Sequence, residues 1–352
     1  MSSPVAIAVS GGIDSMTAAW LLKAQGRSPM GIHFTTGYES AKGFGGNTGE
    51  AIGRRLGIPV TTVDIAGPFR ARVVDYFADT YARGQTPNPC MVCNQRIKFD
   101  LILETALGMG ASHLATGHYA RCATGTRGHF RLSRGIDPEK DQSYFLARLD
   151  QRALSRAMFP LGAMTKVQVR ALAANQGLSP VFSGESQDVC FIPRGGYGAF
   201  LHSRAGFTAN PGPIVDTNGN VLGRHRGLPF YTVGQRRGLD CPASQPYYVV
   251  RLELEKNRLV IGFKKEIMSS GCRVSHVRWT DREIDAPTDV AVQIRYRGPA
   301  SAALLTPTGN GRATVRFHSP LEAVTPGQAA VFYRGDEVLG SGWIKEALPA
   351  DQ

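Results

Sequence analysis

Six residues restrict most strongly what this chain can become. Residues 5–9 form a short apolar run that passes directly into Ser10-Gly11-Gly12-Ile13-Asp14-Ser15, and a helical pattern (Met16, Ala19, Trp20, Leu22) follows and stops at Gly26. The glycines let the backbone turn tightly and approach an anion without a Cβ in the way. Unpaired N–H groups at the helix start, together with the helix dipole, then attract phosphate. Ser10 and Ser15 add hydroxyl donors, and Asp14 can hold Mg²⁺ or cap the helix. A plain strand-to-helix turn would need fewer special residues. No Lys-Ser/Thr follows, so this is not the Walker pattern.

The alternation continues for the next stretch of chain. Residues 30–34, 59–63 and 113–116 read as strands. Residues 49–56, 69–82 and 97–109 read as helices, the second with Val73, Val74, Phe77 and Tyr81 on one stripe. This predicts an α/β fold with a Rossmann-like parallel sheet, whose ligands sit beyond the C-terminal strand ends. Thr165 is placed to cap a helix over 166–176, and a shorter helix covers 197–203. From about residue 211 the texture changes to short Val-, Ile-, Tyr- and Phe-rich runs. They are separated by Asn218-Gly219, Pro326-Gly327 and Arg334-Gly335, which predicts a β-rich, barrel-like region. The expected organisation is 1–163, a nucleotide-binding domain; 164–210, a helical adaptor; and 211–352, the β-rich part. A length of 352 residues suits two or three domains.

The formal net charge is +12, which favours a polyanionic partner such as nucleic acid, though a merely basic protein fits it equally. No run approaches the about 20 apolar residues of a membrane span. The N-terminal segment lacks the basic region of a signal peptide, so a cytoplasmic location is expected.

Of six cysteines, Cys122, Cys241 and Cys272 are scattered and read as ordinary small residues. The other three stand in suggestive surroundings. Thr86-Pro87-Asn88-Pro89-Cys90-Met91-Val92-Cys93-Asn94 makes a rigid loop, with Asn94 placed to cap a following helix. Cys93 is then expected beside a helix N-terminus, near Arg96 and Lys98, both of which would lower its pKa. Half a zinc site is the other reading of Cys-x-x-Cys, but no second close pair exists. Cys190 stands alone in 184–192.

The loop at 10–15 resembles the PP-loop of the N-type ATP pyrophosphatases. With Ala115-Thr116-Gly117-His118-Tyr119, 140–146, Cys190-Phe191-Ile192, 232–239 and Thr325-Pro326-Gly327-Gln328, the chain resembles the tRNA-specific 2-thiouridylases along nearly its whole length. The resemblance implies ATP-dependent 2-thiolation of the wobble uridine of tRNA. It implies ATP and Mg²⁺ as cosubstrates, and ATP contacts from Ala8, Val9, Ser10, Gly11, Gly12, Ile13, Asp14, Ser15, Phe34 and Gly117. Phe34 stands where many relatives carry a methionine.

Cys93 is implied as the catalytic nucleophile and Cys190 as the persulfide carrier. Asn88, Pro89 and Cys90 would meet the target base. His118, Lys140, Asp141, Gln142, Arg295, Tyr296 and Gln328 would lie near the tRNA. The implied partners are tRNAs accepting lysine, glutamate and glutamine, and a sulfur donor such as a cysteine desulfurase or sulfur-relay protein. One rival keeps the reaction but has Cys90, Cys93 and Cys190 hold a [4Fe–4S] cluster. Others are a PP-loop ligase acting on a small molecule and a non-catalytic RNA-binding protein.

Overall fold

A computed structural model describes residues 4–39, 48–125, 128–181, 189–193, 196–204 and 207–350. Most of the Gly-rich stretch at 43–49, and the 184–188 part of the segment before Cys190, lie outside the described residues.

The first sheet is parallel throughout and has the order β3-β2-β1-β4-β7. Its strands are β1 (Val5–Ala8), β2 (Pro29–Thr35), β3 (Val60–Asp64), β4 (His113–Ala115) and β7 (Ala157–Met158). In β1, Val5, Ala6 and Ile7 are fully buried because helices cover both faces of the sheet. On one face Met16, Ala19 and Leu22 of helix Ile13–Ala24 pack with Val169 and Ala173 of helix Lys166–Asn175. On the other, Phe69, Val73, Phe77, Ile97 and Ile102 form a larger core that continues into the C-terminal half.

The chain leaves β1 toward β2 and later returns on its other side as β4. The crevice between the loops after β1 and β4 is therefore the topological switch point, where such sheets bind ligands.

Helix Lys166–Asn175 begins as its sequence predicts. The Thr165 hydroxyl accepts from the Gln168 N–H at 3.3 Å, and the Gln168 side chain accepts from the Thr165 N–H at 2.8 Å.

Two β structures follow. A four-stranded sheet has the order β10-β11-β8-β9, with β8 Gly212–Val215, β9 Val221–His225, β10 Tyr248–Glu253 and β11 Arg258–Gly262. The strands β12 (Met268–Trp279), β13 (Thr288–Gln293), β14 (Ser301–Gly309), β15 (Arg312–Glu322), β16 (Ala329–Arg334) and β17 (Glu337–Pro349) then close into a barrel through the β12–β17 pairing. The α/β and barrel-like expectations both hold.

One element was not legible. A hairpin of β5 (Ala120–Thr124) and β6 (Phe130–Arg134) leaves the first domain and joins the barrel sheet, with Ser133 opposite Glu337 of β17. Arg134 fastens it there, its guanidinium 3.7 Å from the centre of the Tyr333 ring and 3.1 Å from the Asp141 carboxylate.

A candidate active site where the nucleotide loop meets three thiols

Gly12 starts helix Ile13–Ala24 without any side-chain cap, so its first-turn N–H groups keep their affinity for an anion. Gly11 sits at φ +79°, a conformation that glycine alone adopts freely. The Ser15 hydroxyl braces the turn, accepting from Ser10 N–H at 3.2 Å and donating to the Gly12 carbonyl at 3.0 Å.

Asp14 does not cap. Its carboxylate accepts from the Tyr119 hydroxyl at 2.7 Å and from Lys166 Nζ at 2.7 and 2.8 Å. Lys166 itself is buried, while Asp14 remains about one-third exposed. No local pattern announces this partnership, because Lys166 lies on helix Lys166–Asn175, far along the chain. Gly117, after β4, lies tight against this helix start, where an added Cβ would come within 2.9 Å of Ser15 N.

The cysteine loop corrects the sequence reading. The helix starts at Asn88, whose side chain accepts from Met91 N–H at 3.2 Å with Pro89 in the first turn. Cys93 ends helix Pro89–Cys93, and the backbone runs on unbroken into a helical segment, Asn94–Ile102. Asn94 is helical (φ −59°, ψ −44°) and caps nothing. Cys93 therefore has no helix N-terminus beside it, and Arg96 points to solvent. Burial pushes the Cys93 thiol up to about 12, against the opposing pull of Lys98. Cys90 is pushed up to about 11 by the same cause, with Cys190 adding to the rise and Lys98 again opposing it.

Cys190 meets these thiols from the far side. Phe191 is buried among Tyr38, Phe69, Phe77 and Phe200, at ring-centre distances of 5.9, 5.8, 5.2 and 5.5 Å. That peg holds Cys190 at the mouth of the cleft, where solvent touches it although surrounding protein still raises its thiol. One cleft of about 1780 Å³ is lined by the Ser10–Ser15 loop, Phe34, Gly117, all three cysteines, Lys140, Tyr296 and Arg297.

The remaining sequence-derived candidates fall into two groups. Half-buried Tyr296 and exposed Arg297 line one part of the cleft, and Arg295 beside them is exposed but does not line it. His118 and Asp141 are buried. The Asp141 carboxylate accepts from Gly135 N–H and Ser143 N–H, both at 3.0 Å, and Gln142 accepts from Tyr119 N–H at 3.0 Å. These contacts shape the loop behind Lys140.

Gln328 reaches from the barrel to the cysteine loop, donating to the carbonyls of Thr86 at 3.3 Å and Pro87 at 2.9 Å. Beside it Thr86 N–H donates to Pro326 O at 2.9 Å. Gly327 makes the approach possible: its φ is +92°, and a Cβ there would lie 2.6 Å from Thr86 O. We expect Gly327→Ala to lower stability by about 2 kcal/mol, from left-handed strain plus the clash. A melting curve matching the parent's would refute this account of the contact.

Among the described residues, no group of three His, Cys, Asp or Glu side chains could hold a metal ion. On that geometry the three cysteines do not stand together as a ready ligand set for a [4Fe–4S] cluster. Asp14 does suit Mg²⁺, which typically takes one or two carboxylates plus substrate phosphates.

The family profile described as tRNA methyl transferase HUP domain matches residues 3–194. The tRNA methyl transferase PRC-barrel domain matches 198–263, and the aminomethyltransferase beta-barrel domain matches 269–344. The chain is similar to the tRNA-specific 2-thiouridylase MnmA of Desulfosudis oleivorans, at 48% identity over 97% of this chain and 94% of that one. It is 44% identical to the protein of the same name from Geobacter metallireducens, over 98% and 97% of the two chains. Among solved structures, the U34-tRNA thiolase NcsA from Methanococcus maripaludis with its [4Fe-4S] cluster matches at a TM-score of 0.37 and 20% identity. That match covers 53% of this chain and 61% of the other, a likeness too loose to bear on the cofactor.

Proposed function

This chain belongs to the tRNA-specific 2-thiouridylases, a family of tRNA sulfurtransferases, and from that premise we propose that it thiolates C2 of the wobble uridine by adenylation followed by persulfide transfer. The observation that carries the reading is the single cleft shared by the phosphate-binding loop and three thiols.

ATP seats its phosphates on the uncapped N–H groups after Gly12. Mg²⁺, held by Asp14, would shield their charge. The target uridine is flipped out of the anticodon stack, since a stacked base could not reach this depth. Its O2 attacks the α-phosphorus, so an O2–P bond forms and pyrophosphate leaves. Cys190 carries a persulfide. The Cys93 thiolate attacks Sγ of Cys190, the S–S bond breaks and hydrosulfide is released. Hydrosulfide adds to C2, the C2–O2 bond breaks and AMP departs. The Cys93–Cys190 disulfide that remains takes two electrons from an external dithiol to restart the cycle. No step passes through an iron–sulfur cluster.

The deciding experiment is nucleoside analysis of tRNA incubated with the protein, ATP, Mg²⁺ and a persulfide-forming sulfur source. We expect 2-thiouridine at the wobble position of lysine, glutamate and glutamine acceptors. Unmodified tRNA under conditions where ATP is consumed would sink the proposal.

Exposed Arg236, Arg237, Arg295 and Arg297 are proposed to meet the tRNA backbone. Each one that neutralises a phosphate should lower the slope of log affinity against log salt by about 0.9 when replaced by Ala. Unchanged slopes in all four variants, read by filter binding across a salt series, would make them merely solvated charges.

A further inference from the structure

The helix carrying Cys93 changes its winding directly after that residue. Residues Asn94–Ile102 form a π-helical segment kinked at Phe99 (φ −99°, ψ 15°), with Leu103 N–H donating to both Lys98 O and Asp100 O. Such segments are rare and cluster at functional sites. Their i→i+5 bonding widens the turn, so the residue five positions on returns to nearly the same face. In an ordinary α-helix Lys98 would point well away from Cys93. Here both line the one cleft. Arg72 supports the distortion from a neighbouring segment, donating to Arg96 O at 2.9 Å and pairing with Asp100 at 3.0 Å.

Lys98 does not wave in solvent. Its Nζ lies 3.3 Å from His118 Nε2, and His118 Nδ1 lies 2.6 Å from Thr116 Oγ1. The ammonium must donate, so Nε2 accepts. Nδ1 then carries the ring proton and donates to the threonine. Phe99 and Phe159 flank the imidazole at ring-centre distances of 6.4 and 6.1 Å.

We propose that Lys98, turned onto the thiol face by the π-helical segment and aimed by His118, is the cation that keeps the sulfurs of Cys93 and Cys190 anionic during transfer. The inference rests on the persulfide reading for its purpose, though not for its test. His118 is a positioning residue acting through Lys98. Burial, with the Lys98 charge adding to it, holds the imidazole well below its ordinary value, so it stays a neutral acceptor at any working pH. Among the described residues, the other groups acting on the sulfurs supply no second cation. Cys190 raises Cys90, Cys190 and Cys90 both raise Cys93, Glu39 faces Cys190 with the opposite effect to Lys98, and Tyr296 lies near Cys90. Lys98 is the shared opposing charge on all three thiols.

The test is the pH profile of iodoacetamide alkylation, read separately for each cysteine by peptide mass spectrometry on the full-length protein. It needs neither ATP nor tRNA, so its failure is distinct from failure of the thiolation reading. Lys98→Met should slow alkylation of Cys93 and Cys190 about tenfold at fixed pH below the midpoint, equivalent to a rise of about one pH unit. Lys98→Arg, which keeps the charge, should retain most of the rate. His118→Leu should give a smaller slowing, with Lys98 present but no longer aimed. Melting curves check that each variant is folded, and Lys98→Gln serves if the methionine variant is not. Unchanged midpoints in the neutral variants, or equal shifts in Lys98→Met and Lys98→Arg, would overturn the proposal.

Discussion

A Cys190→Ser protein is expected to bind ATP and tRNA normally and to form no 2-thiouridine, a loss on the order of a thousandfold or more. The serine oxygen cannot carry a transferable sulfur. Little else should change, because the anchor of this segment is Phe191 in its aromatic surround and not the cysteine itself. Cys93→Ser should lose activity to the same extent, since it removes the thiol that opens the persulfide. Two groups acting in one step are non-additive, so the double variant should be no worse than either single one. Cys90→Ser should keep appreciable activity, because the proposed reaction assigns that thiol no step. Mass-spectrometric quantitation of thionucleosides measures all four. A Cys190→Ser enzyme retaining a tenth of parental activity would end the persulfide route. A Cys90→Ser enzyme with none would reopen the question of what that thiol does.

The second large effect concerns the nucleotide. Asp14→Asn should reduce tRNA-dependent ATP–pyrophosphate exchange by about 10²–10³-fold, a loss typical of removing one preorganised electrostatic group. It deletes the carboxylate proposed to hold Mg²⁺ and removes the Asp14 ion pair from buried Lys166. Two glycine variants separate binding from folding. Gly12 has φ −78°, and a Cβ there would meet only Ser10 Oγ at 3.5 Å, so Gly12→Ala should melt like the parent and still lose exchange as its methyl meets the phosphates. In Gly117→Ala the methyl would press on the backbone of Ser15 and Asp14, at 2.9 and 3.0 Å, so both stability and exchange should fall. Full exchange activity in Asp14→Asn, or a strongly lowered melting point in Gly12→Ala, would contradict this account.

Local chemistry was legible in the sequence and long-range partnership was not. The loop at 10–15, the Thr165 cap and the change to β texture are written in neighbouring residues, and the structure has them where the pattern put them. The surroundings of Cys93 were misread because two prolines and an asparagine suit a rigid loop as well as a helix start. Asn88 in fact opens the helix, which moves Cys93 from its end into its interior. No sequence pattern distinguishes a π-helical turn from an α-helical one, so the face on which Lys98 falls was unreadable. The Asp14–Lys166 pair and the Gln328 contact join segments that share no local signal. The β5–β6 hairpin was invisible for the same reason. It is short and arginine-rich, and its partner strand comes near the other end of the chain.

That hairpin has a consequence for how the protein is made. Strand β6 lies between β5 and β17, and β17 emerges from the ribosome roughly 200 residues later. At about 5–20 residues per second, one edge of the hairpin stays open for about 10–40 s of synthesis. An unpaired edge invites pairing with other chains. Arg131 and Arg134 on β6 and Arg121 on β5 give it the charge that discourages such contacts while it waits. The last-made strand thus completes the sheet that the first-made domain began, and a nascent chain halted before Glu337 would display that open edge.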